Sequence, residues 1–292
     1  MNFTRPAVRA ERGARRPRLS WALIALLTGP LAGAQGMTAQ TMTASSAAPA
    51  VSGGRAVQVL PHSRVVTVLN GTPAWFVCDR TDARSVAVLG WPDARGLSRL
   101  TTYSKTRPGE YVWKSYRVGA ADPGAGQIYY PLTPAGTGSA PNNVHSFNTG
   151  MLDRPEQALT PAITGVTSSE GSGECRWTLN TRLLGFDARR SVLITQAPGG
   201  TLTYQTFDFA APGTPTHPDG AQRSSTPSLT VTGGTRLLTQ TQEAFVFRNN
   251  GYTYTVRVAR EGQPAGASVT VSWAGKTVQQ ETLTGYTYAT RR

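Results

Sequence analysis

Few residues of this 292-residue chain have the types and spacing that catalysis or metal binding requires. Its three histidines are His62, His145 and His217, and at least 72 residues separate any two of them. Metal-binding histidines usually occur in local groups with short, defined spacing, and no such group is present in this sequence. The sequence therefore predicts no metal site, and it predicts no cofactor.

His145 is the histidine whose neighbours could support chemistry. Asn142, Asn143, Ser146 and Asp153 lie close to it in a segment with little strand pattern. A histidine next to a hydroxyl and a carboxylate could act as a general base in a hydrolase. The same residues also suit a loop histidine whose ring bonds to nearby backbone groups. A hydrolase with a site around His145 is therefore kept as an alternative function.

Local catalytic motifs are absent from the sequence. It contains no G-x-S-x-G, H-E-x-x-H or S-x-x-K pattern. The run Ala274-Gly275-Lys276-Thr277 resembles the end of a phosphate-binding loop, but the surrounding pattern is strand–turn–strand. Carboxylates that could hydrolyse glycosides are present, yet nothing in the sequence brings a pair of them together. We therefore expect a protein that is not an enzyme.

Aromatic residues give the positive indication of a binding surface. The chain has 6 tryptophans and 10 tyrosines, several of them in predicted strands or at loop edges. Exposed aromatic rings on a sheet can stack on sugars or pack against a protein, although strands are enriched in aromatic residues in any case. The candidate binding residues are Trp91, Trp113, Tyr116, Tyr129, Tyr130 and His145.

The N-terminus has the pattern of a signal peptide. Residues 1–18 hold six arginines and one acidic residue, an apolar run follows at 19–32, and Ala32-Gly33-Ala34 places small residues at a cleavage site. We predict a signal peptide at 1–34, a flexible leader at 35–54, and export to the periplasm or cell exterior by the Sec or the twin-arginine route. The alternative is an uncleaved helical anchor, but the apolar run is short for a membrane span. We expect no transmembrane segment in the mature chain.

The two cysteines, Cys78 and Cys175, are predicted to form a disulfide. Export exposes them to an oxidising compartment, and both stand in apolar, strand-like surroundings. A bridge between them would close a long loop and stabilise the fold by about 4–5 kcal/mol in the chain-entropy model.

The positive charge of the chain does not predict nucleic-acid binding. The formal net charge is +13, but without residues 1–34 there remain 23 basic and 15 acidic residues, a net charge of +8. The arginines are scattered and form no block that could follow a nucleic-acid backbone. A moderate positive field suits an anionic partner such as an envelope polymer, an acidic glycan or a phospholipid surface.

The elements that must position these residues are predicted to be β-strands. Short runs rich in Val, Thr and Tyr alternate with turn signals, and no apolar stripe has the period of a helix. We therefore predict an all-β protein of antiparallel hairpins and meanders that form a sandwich or barrel-like body. The predicted hairpin turns are Asn70-Gly71, Gly199-Gly200, Gly233-Gly234, Asn250-Gly251 and Ala274-Gly275.

Two β units are predicted along the chain. The first is a β domain at 55–210 with a long loop at 133–165, which contains a short helix around 153–159. The second is a C-terminal β-meander at 225–288, and the two could also pack as one body. A long loop without regular structure is typical of a functional segment or a linker.

The function expected from these features is binding or structural work at the cell envelope by an exported, non-enzymatic β protein. The preferred ligand is anionic or a glycan, and the expected partners are an envelope polymer, a glycan or a secreted protein. Besides the hydrolase, a further alternative is an inhibitor of a secreted hydrolase.

Overall fold

The structure, a computed structural model, describes residues 63–81, 83–136, 141–209 and 226–291. The predicted signal peptide at 1–34, the predicted leader at 35–54, His62 and His217 lie outside the described residues.

Antiparallel β-strands make up nearly all the regular structure of the described residues, which confirms the all-β prediction. The strands are β1 (Ser63–Leu69), β2 (Thr72–Asp79), β3 (Ser85–Gly90), β4 (Leu97–Ser104), β5 (Tyr111–Val118), β6 (Asp122–Pro123), β7 (Gln127–Pro134), β8 (Asn142–Phe147), β9 (Ile163–Ser168), β10 (Gly171–Glu174), β11 (Thr181–Phe186), β12 (Arg190–Gln196), β13 (Leu202–Asp208), β14 (Leu229–Leu238), β15 (Gln242–Asn249), β16 (Tyr252–Ala259), β17 (Ala267–Trp273), β18 (Lys276–Thr282) and β19 (Gly285–Arg291). Two short 3-10 turns, at Thr149–Met151 and Pro155–Gln157, complete the regular structure.

The strands form one open sheet in which most neighbours along the chain are also neighbours in space. From β1 the sheet continues through β2, β3, β4, β5, β7, β8 and β9 to β10, and β6 pairs beside β5 on the same edge of β7. On its other side β1 pairs with β19, and the sheet continues through β11 and then strand by strand from β12 to β18. The last strand of the chain therefore lies in the middle of the sheet, between β1 and β11.

Four of the five predicted hairpin turns are present. Asn70-Gly71 joins β1 to β2 with φ angles of 49° and 76°, the left-handed conformation that such a tight turn requires. Asn250-Gly251 joins β15 to β16, Ala274-Gly275 joins β17 to β18, and the loop with Gly199-Gly200 joins β12 to β13.

The predicted hairpin at Gly233-Gly234 is wrong. The single strand β14 runs through both glycines, and the register of its pairing with β13 shifts at this point. Beyond the shift, β14 pairs with β15 instead. A Cβ at Gly234 would lie 2.2 Å from Cε1 of the buried Phe247, so the strand can bend here only because the residue has no side chain. The glycine pair therefore marks a bulge, and it does not mark a chain reversal.

The predicted loop at 133–165 contains the strand β8, which the sequence analysis missed. β8 pairs with both β7 and β9, so this part of the chain is inside the sheet. Its inward-facing residues are Asn142, Val144 and Ser146, all buried. Two of these three are polar, which hides the alternation that marks a half-buried strand. The predicted short helix around 153–159 is the 3-10 turn Pro155–Gln157.

Three clusters of buried side chains stabilise the sheet. The largest joins β11–β17 with β1 and β19 and includes Tyr204 and Phe245. The second lies within β2–β9 and includes Trp75 and Tyr116. The third, with Phe186 at its centre, packs β2 and β3 against β11–β13.

The predicted disulfide between Cys78 and Cys175 is present. It joins β2 to the residue that follows β10, next to an isolated bridge between Arg80 and Cys175. No helix among the described residues is long and apolar enough to cross a membrane.

A buried ion cluster lies close to the disulfide. The two carboxylate oxygens of Asp79 contact Lys105 Nζ at 2.5 Å and Arg176 Nε at 2.7 Å, and none of the three side chains is more than 7% exposed. Burial alone would raise the pKa of Asp79. The attraction of its carboxylate to Lys105 and Arg176 is stronger than this effect and holds the pKa below its usual value. The guanidinium of Arg176 also stacks at 3.3 Å on the ring of Phe207.

A second buried cluster is centred on Glu243. Its carboxylate accepts bonds from Arg236, Arg182 and the hydroxyl of Tyr288. Burial opposes ionisation, but these three donors together lower the pKa of Glu243. The cluster ties β11, β14, β15 and β19 together inside the largest core.

Candidate functional site

A cleft of about 360 Å³ lies where β1 and β2 meet β7–β9 and the loop between β16 and β17. Its floor is apolar, with Val66 and Val68 on β1 and Ile128 on β7 among its lining residues. We call it the tryptophan cleft, because Trp75 and Trp91 form one of its walls.

The wall is built from stacked aromatic rings. The indoles of Trp75 and Trp91 lie 6.1 Å apart and within 20° of parallel, and the ring of Tyr130 meets Trp75 edge-on at 5.3 Å. Trp75 is 3% exposed, whereas Trp91 is 47% exposed. The cluster therefore has a buried base and an outer ring that a ligand can reach.

A bulge in β2 places Trp75 in this wall. Ala74 pairs with Gly90 of β3 and Phe76 pairs with Leu89, so Trp75 is an extra residue without a partner on β3. A bulge redirects the side chain of the extra residue, and here both Trp75 and Phe76 become buried in the same core. Trp91 directly follows Gly90, which brings it beside the bulge.

The polar residues that line the cleft include Tyr130, Ser146 and Arg260. Trp75 Nε1 is buried, and no described residue accepts a hydrogen bond from it. The hydroxyl of Tyr130 has the Ser146 hydroxyl as a neighbour, and burial raises the pKa of Tyr130. Arg260 also lines the cleft, and its Nη1 donates a hydrogen bond of 2.7 Å to the carbonyl oxygen of Thr239. The cleft thus combines an aromatic wall with the polar side chains of Tyr130 and Arg260.

The six candidate binding residues do not form one site. Trp91 and Tyr130 meet in the tryptophan cleft. Tyr116 is 0% exposed and its hydroxyl lies 2.8 Å from Ser169 Oγ, so it belongs to the core and is not available to a ligand. Tyr116 is the one buried residue among the eight residues of β5. The remaining three residues, Trp113, Tyr129 and His145, lie elsewhere on the sheet.

Trp113 lies on an exposed face of β4 and β5 that we call the outer patch. The guanidinium carbon of Arg99 lies 4.2 Å from the centre of the Trp113 ring, and both side chains are exposed. Tyr111 and Arg117 lie on the same face of β5, because they are two and four residues from Trp113. No carboxylate of the described residues forms an ion pair with Arg99 or Arg117.

Tyr129 and His145 are cross-strand neighbours on β7 and β8. Their rings lie 5.7 Å apart, and Gln127 Oε1 is 3.3 Å from His145 Nδ1. Glu174 Oε1 is 3.9 Å from His145 Nε2, which is beyond hydrogen-bond distance. Among the described residues no hydroxyl contacts either ring nitrogen of His145. A hydrolase site around His145 therefore stays a hypothesis that no observed contact favours.

The sequence analysis missed Trp75, which is central to the cleft. A signal was present, because Trp75 and Phe76 are adjacent aromatic residues in a strand whose faces should alternate. Two successive large apolar residues in one strand are consistent with a bulge. The loop between β16 and β17, by contrast, has no local sequence pattern that indicates that it also lines the cleft.

No known protein family, curated protein or solved structure matches the chain. Within the described ranges, no three histidine, cysteine, aspartate or glutamate side chains are grouped so that they could hold a metal ion. The function must therefore be argued from the geometry of the sites.

Proposed function

We propose that this protein is an exported, non-enzymatic binding protein of the periplasm or cell exterior that binds a glycan in the tryptophan cleft. The observation that carries the proposal is the exposed Trp91, stacked on the buried Trp75 where both line the cleft. Two of the candidate binding residues, Trp91 and Tyr130, line this cleft.

A sugar matches this combination of groups. The C–H face of a sugar ring packs on an aromatic ring, and its hydroxyl and acetamido oxygens accept hydrogen bonds. The volume of about 360 Å³ also falls within the usual range for small-ligand sites.

The disulfide supports the proposed location. Such bonds persist in oxidising compartments and are rare in the cytosol. The bridge between Cys78 and Cys175 joins two distant parts of the sheet, as expected of a structural disulfide in an exported protein.

Binding to an array of envelope oligosaccharides tests the proposal, with the wild type compared with Trp91→Ala and Trp113→Ala. The two tryptophans are 47% and 52% exposed, so neither substitution removes a core residue. We expect Trp91→Ala to weaken binding by about tenfold or more, as the loss of one stacking partner implies, and Trp113→Ala to leave it unchanged. Equal losses in both variants, or no retained oligosaccharide for the wild type, would contradict the proposal.

The outer patch favours a second candidate function, the binding of an anionic envelope polymer. Arg99 packs on the exposed Trp113, Arg117 lies on the same face of β5, and both arginines lack carboxylate partners among the described residues. Retention on immobilised dextran sulfate should fall as sodium chloride is raised, because exposed charges are screened. Arg99→Ala should weaken retention. Trp91→Ala, which lies outside the outer patch, is the control and should leave retention unchanged. Retention that is insensitive to salt or to Arg99→Ala would remove this candidate.

A further inference from the structure

A second cavity, of about 430 Å³, lies between β12–β14 and β16–β18. It shares no lining residue with the tryptophan cleft. The residues of this cavity that matter for its chemistry are Arg190, Tyr204, Asp208, Tyr252, Tyr254 and Glu281.

Carboxylates outnumber cations in this cavity. Arg190 Nε lies 3.3 Å from Asp208 Oδ1 and 3.5 Å from Glu281 Oε2, so one guanidinium lies between two carboxylates. The carboxylate of Asp187 lies beside Glu281 and interacts with it. Two carboxylates of the cavity therefore share one guanidinium, and a third carboxylate lies beside them, in a chain whose overall charge is strongly positive.

Aromatic rings lead from the surface into the cavity. Trp273 contacts Tyr252 at 4.6 Å, Tyr252 contacts Tyr254 at 6.4 Å, and Tyr254 contacts Tyr204 at 5.6 Å between ring centres. Tyr252 is 39% exposed, whereas Tyr204 is only 1% exposed. Among the described residues nothing bonds to the Tyr204 hydroxyl, although this side chain lines the cavity.

The ionisation of Glu281 reflects the same excess of negative charge. Burial, together with the neighbouring Asp187, raises the pKa of Glu281, and Arg190 only partly opposes this. A proton on Glu281 is thus one way to relieve the excess charge. A bound cation would relieve it in the same way.

We infer that this cavity binds a small organic ammonium ion. The ammonium group would neutralise the carboxylates of Glu281 and Asp208 and donate a hydrogen bond to the Tyr204 hydroxyl. The carbon atoms next to its nitrogen, which carry part of the positive charge, would contact Tyr252 and Tyr254, whose electron-rich rings attract cations. A neutral ligand would leave the excess negative charge, and an anion would add to it. The tyrosine walls also suit an organic cation better than a bare metal ion, which requires further oxygen ligands.

Isothermal titration calorimetry of the purified protein tests the inference with n-butylammonium chloride, butan-1-ol and sodium chloride as probes. We expect saturable binding of n-butylammonium at one site per chain, and no binding of butan-1-ol, which has a similar shape without the charge. Sodium chloride at the same ionic strength should give no saturable heat. Binding of the alcohol at equal strength would overturn the inference, and so would the absence of saturation with the amine.

Variants locate the binding. Glu281→Gln removes the charge but keeps the shape of the side chain, and it should weaken binding about tenfold or more. Glu156→Gln, on the exposed 3-10 turn Pro155–Gln157, is the matched control and should leave the affinity unchanged. Tyr252→Leu keeps an apolar side chain at the cavity mouth but removes the ring, and it should weaken binding severalfold. If Glu281→Gln and Glu156→Gln behave alike in folded protein, the cavity is not the site.

The pH dependence gives an independent readout. Glu281 must lose its proton to pair with the ammonium group, so the affinity should fall as the solution is acidified towards the range in which Glu281, with its raised pKa, is protonated. The other titratable groups near Glu281 are Asp187, Arg190, Asp208 and Tyr204, and protonation of the two aspartates would also weaken binding. In Glu281→Gln the fall should begin at lower pH. An affinity that rises on acidification would contradict the inference.

Discussion

Replacement of Asp79 by asparagine should destabilise the protein more than any surface substitution. Asp79 is fully buried, and its two carboxylate oxygens contact Lys105 at 2.5 Å and Arg176 at 2.7 Å. Asparagine has nearly the same size but no charge. The variant would therefore remove the buried negative charge that pairs with two buried cations.

The expected magnitude follows from this arrangement. Removal of one partner from a buried ion pair costs about 3–5 kcal/mol, because the other charge is left without compensation. Since one carboxylate here neutralises two cations, we expect the upper part of that range, about 4–5 kcal/mol. The total stability of a folded domain is about 5–15 kcal/mol, so the loss is a large fraction of it.

Urea unfolding followed by tryptophan fluorescence measures the effect. With a slope of about 2–3 kcal/mol per molar urea, the midpoint should fall by about 1.3–2.5 M. Asp93→Asn is the matched control, because Asp93 also pairs with an arginine, Arg95 at 3.0 Å, but on the surface. Its midpoint should not change measurably. A loss below about 1 kcal/mol in Asp79→Asn would refute the conclusion that this cluster stabilises the fold.

The pH dependence checks the sign of the effect. The two cations hold the pKa of Asp79 below its ordinary value of 3.8, despite burial. The stabilisation is therefore complete above the pKa of the unfolded chain and is lost as the pH falls through the folded pKa. The difference in midpoint between wild type and variant should be constant between about pH 5 and 8 and should narrow below about pH 4.

Two further substitutions test the backbone of the sheet. Gly234→Ala should destabilise the protein by about 1–3 kcal/mol, because the new Cβ would lie 2.2 Å from a ring atom of the buried Phe247. If urea unfolding shows no loss of stability in this variant, β14 does not bend as described. Ala274→Asn should stabilise the protein by about 0.5–1 kcal/mol, because Ala274 has a φ of 46°, a conformation that asparagine tolerates better than alanine; an unchanged or lower melting temperature would contradict this.

The hairpins were predictable because their cause is local. Asn70-Gly71 and Asn250-Gly251 adopt positive φ angles that these residue types favour, whatever the rest of the chain does. Gly233-Gly234 has a similar local signal but forms a bulge, because Phe247 on the next strand packs against it. The outcome at this glycine pair depends on tertiary packing, which the local sequence does not show.

The strand β8 could not be recognised for a related reason. Asn142 and Ser146 are buried in it, although polar residues in a segment rich in glycine and proline are typical of a loop. Their burial is possible because β7 and β9 flank the strand on both sides. To recognise β8, one would need to know that this segment pairs with β7 and β9. The residue pattern of the segment does not indicate these two partners.

The candidate sites were predictable only as separate residues. Trp91 and Tyr130 were expected to bind a ligand. Both pack against Trp75, and the orientation of Trp75 depends on the bulge in β2. The second cavity, between β12–β14 and β16–β18, has Arg190 of β12 next to Glu281 of β18. These residues are distant in the chain, and only the path of the sheet places them together.

Nuclear magnetic resonance of the tryptophan side chains tests the central claim most directly. Each indole N–H gives one signal, which single Trp→Phe substitutions assign, and tri-N-acetylchitotriose supplies both sugar faces and carbonyl acceptors. Glycan binding in the tryptophan cleft predicts that the signals of Trp75 and Trp91 shift with one common affinity while that of Trp113 stays in place. A shift of Trp113 alone, or no shift at Trp75 and Trp91, would contradict the account.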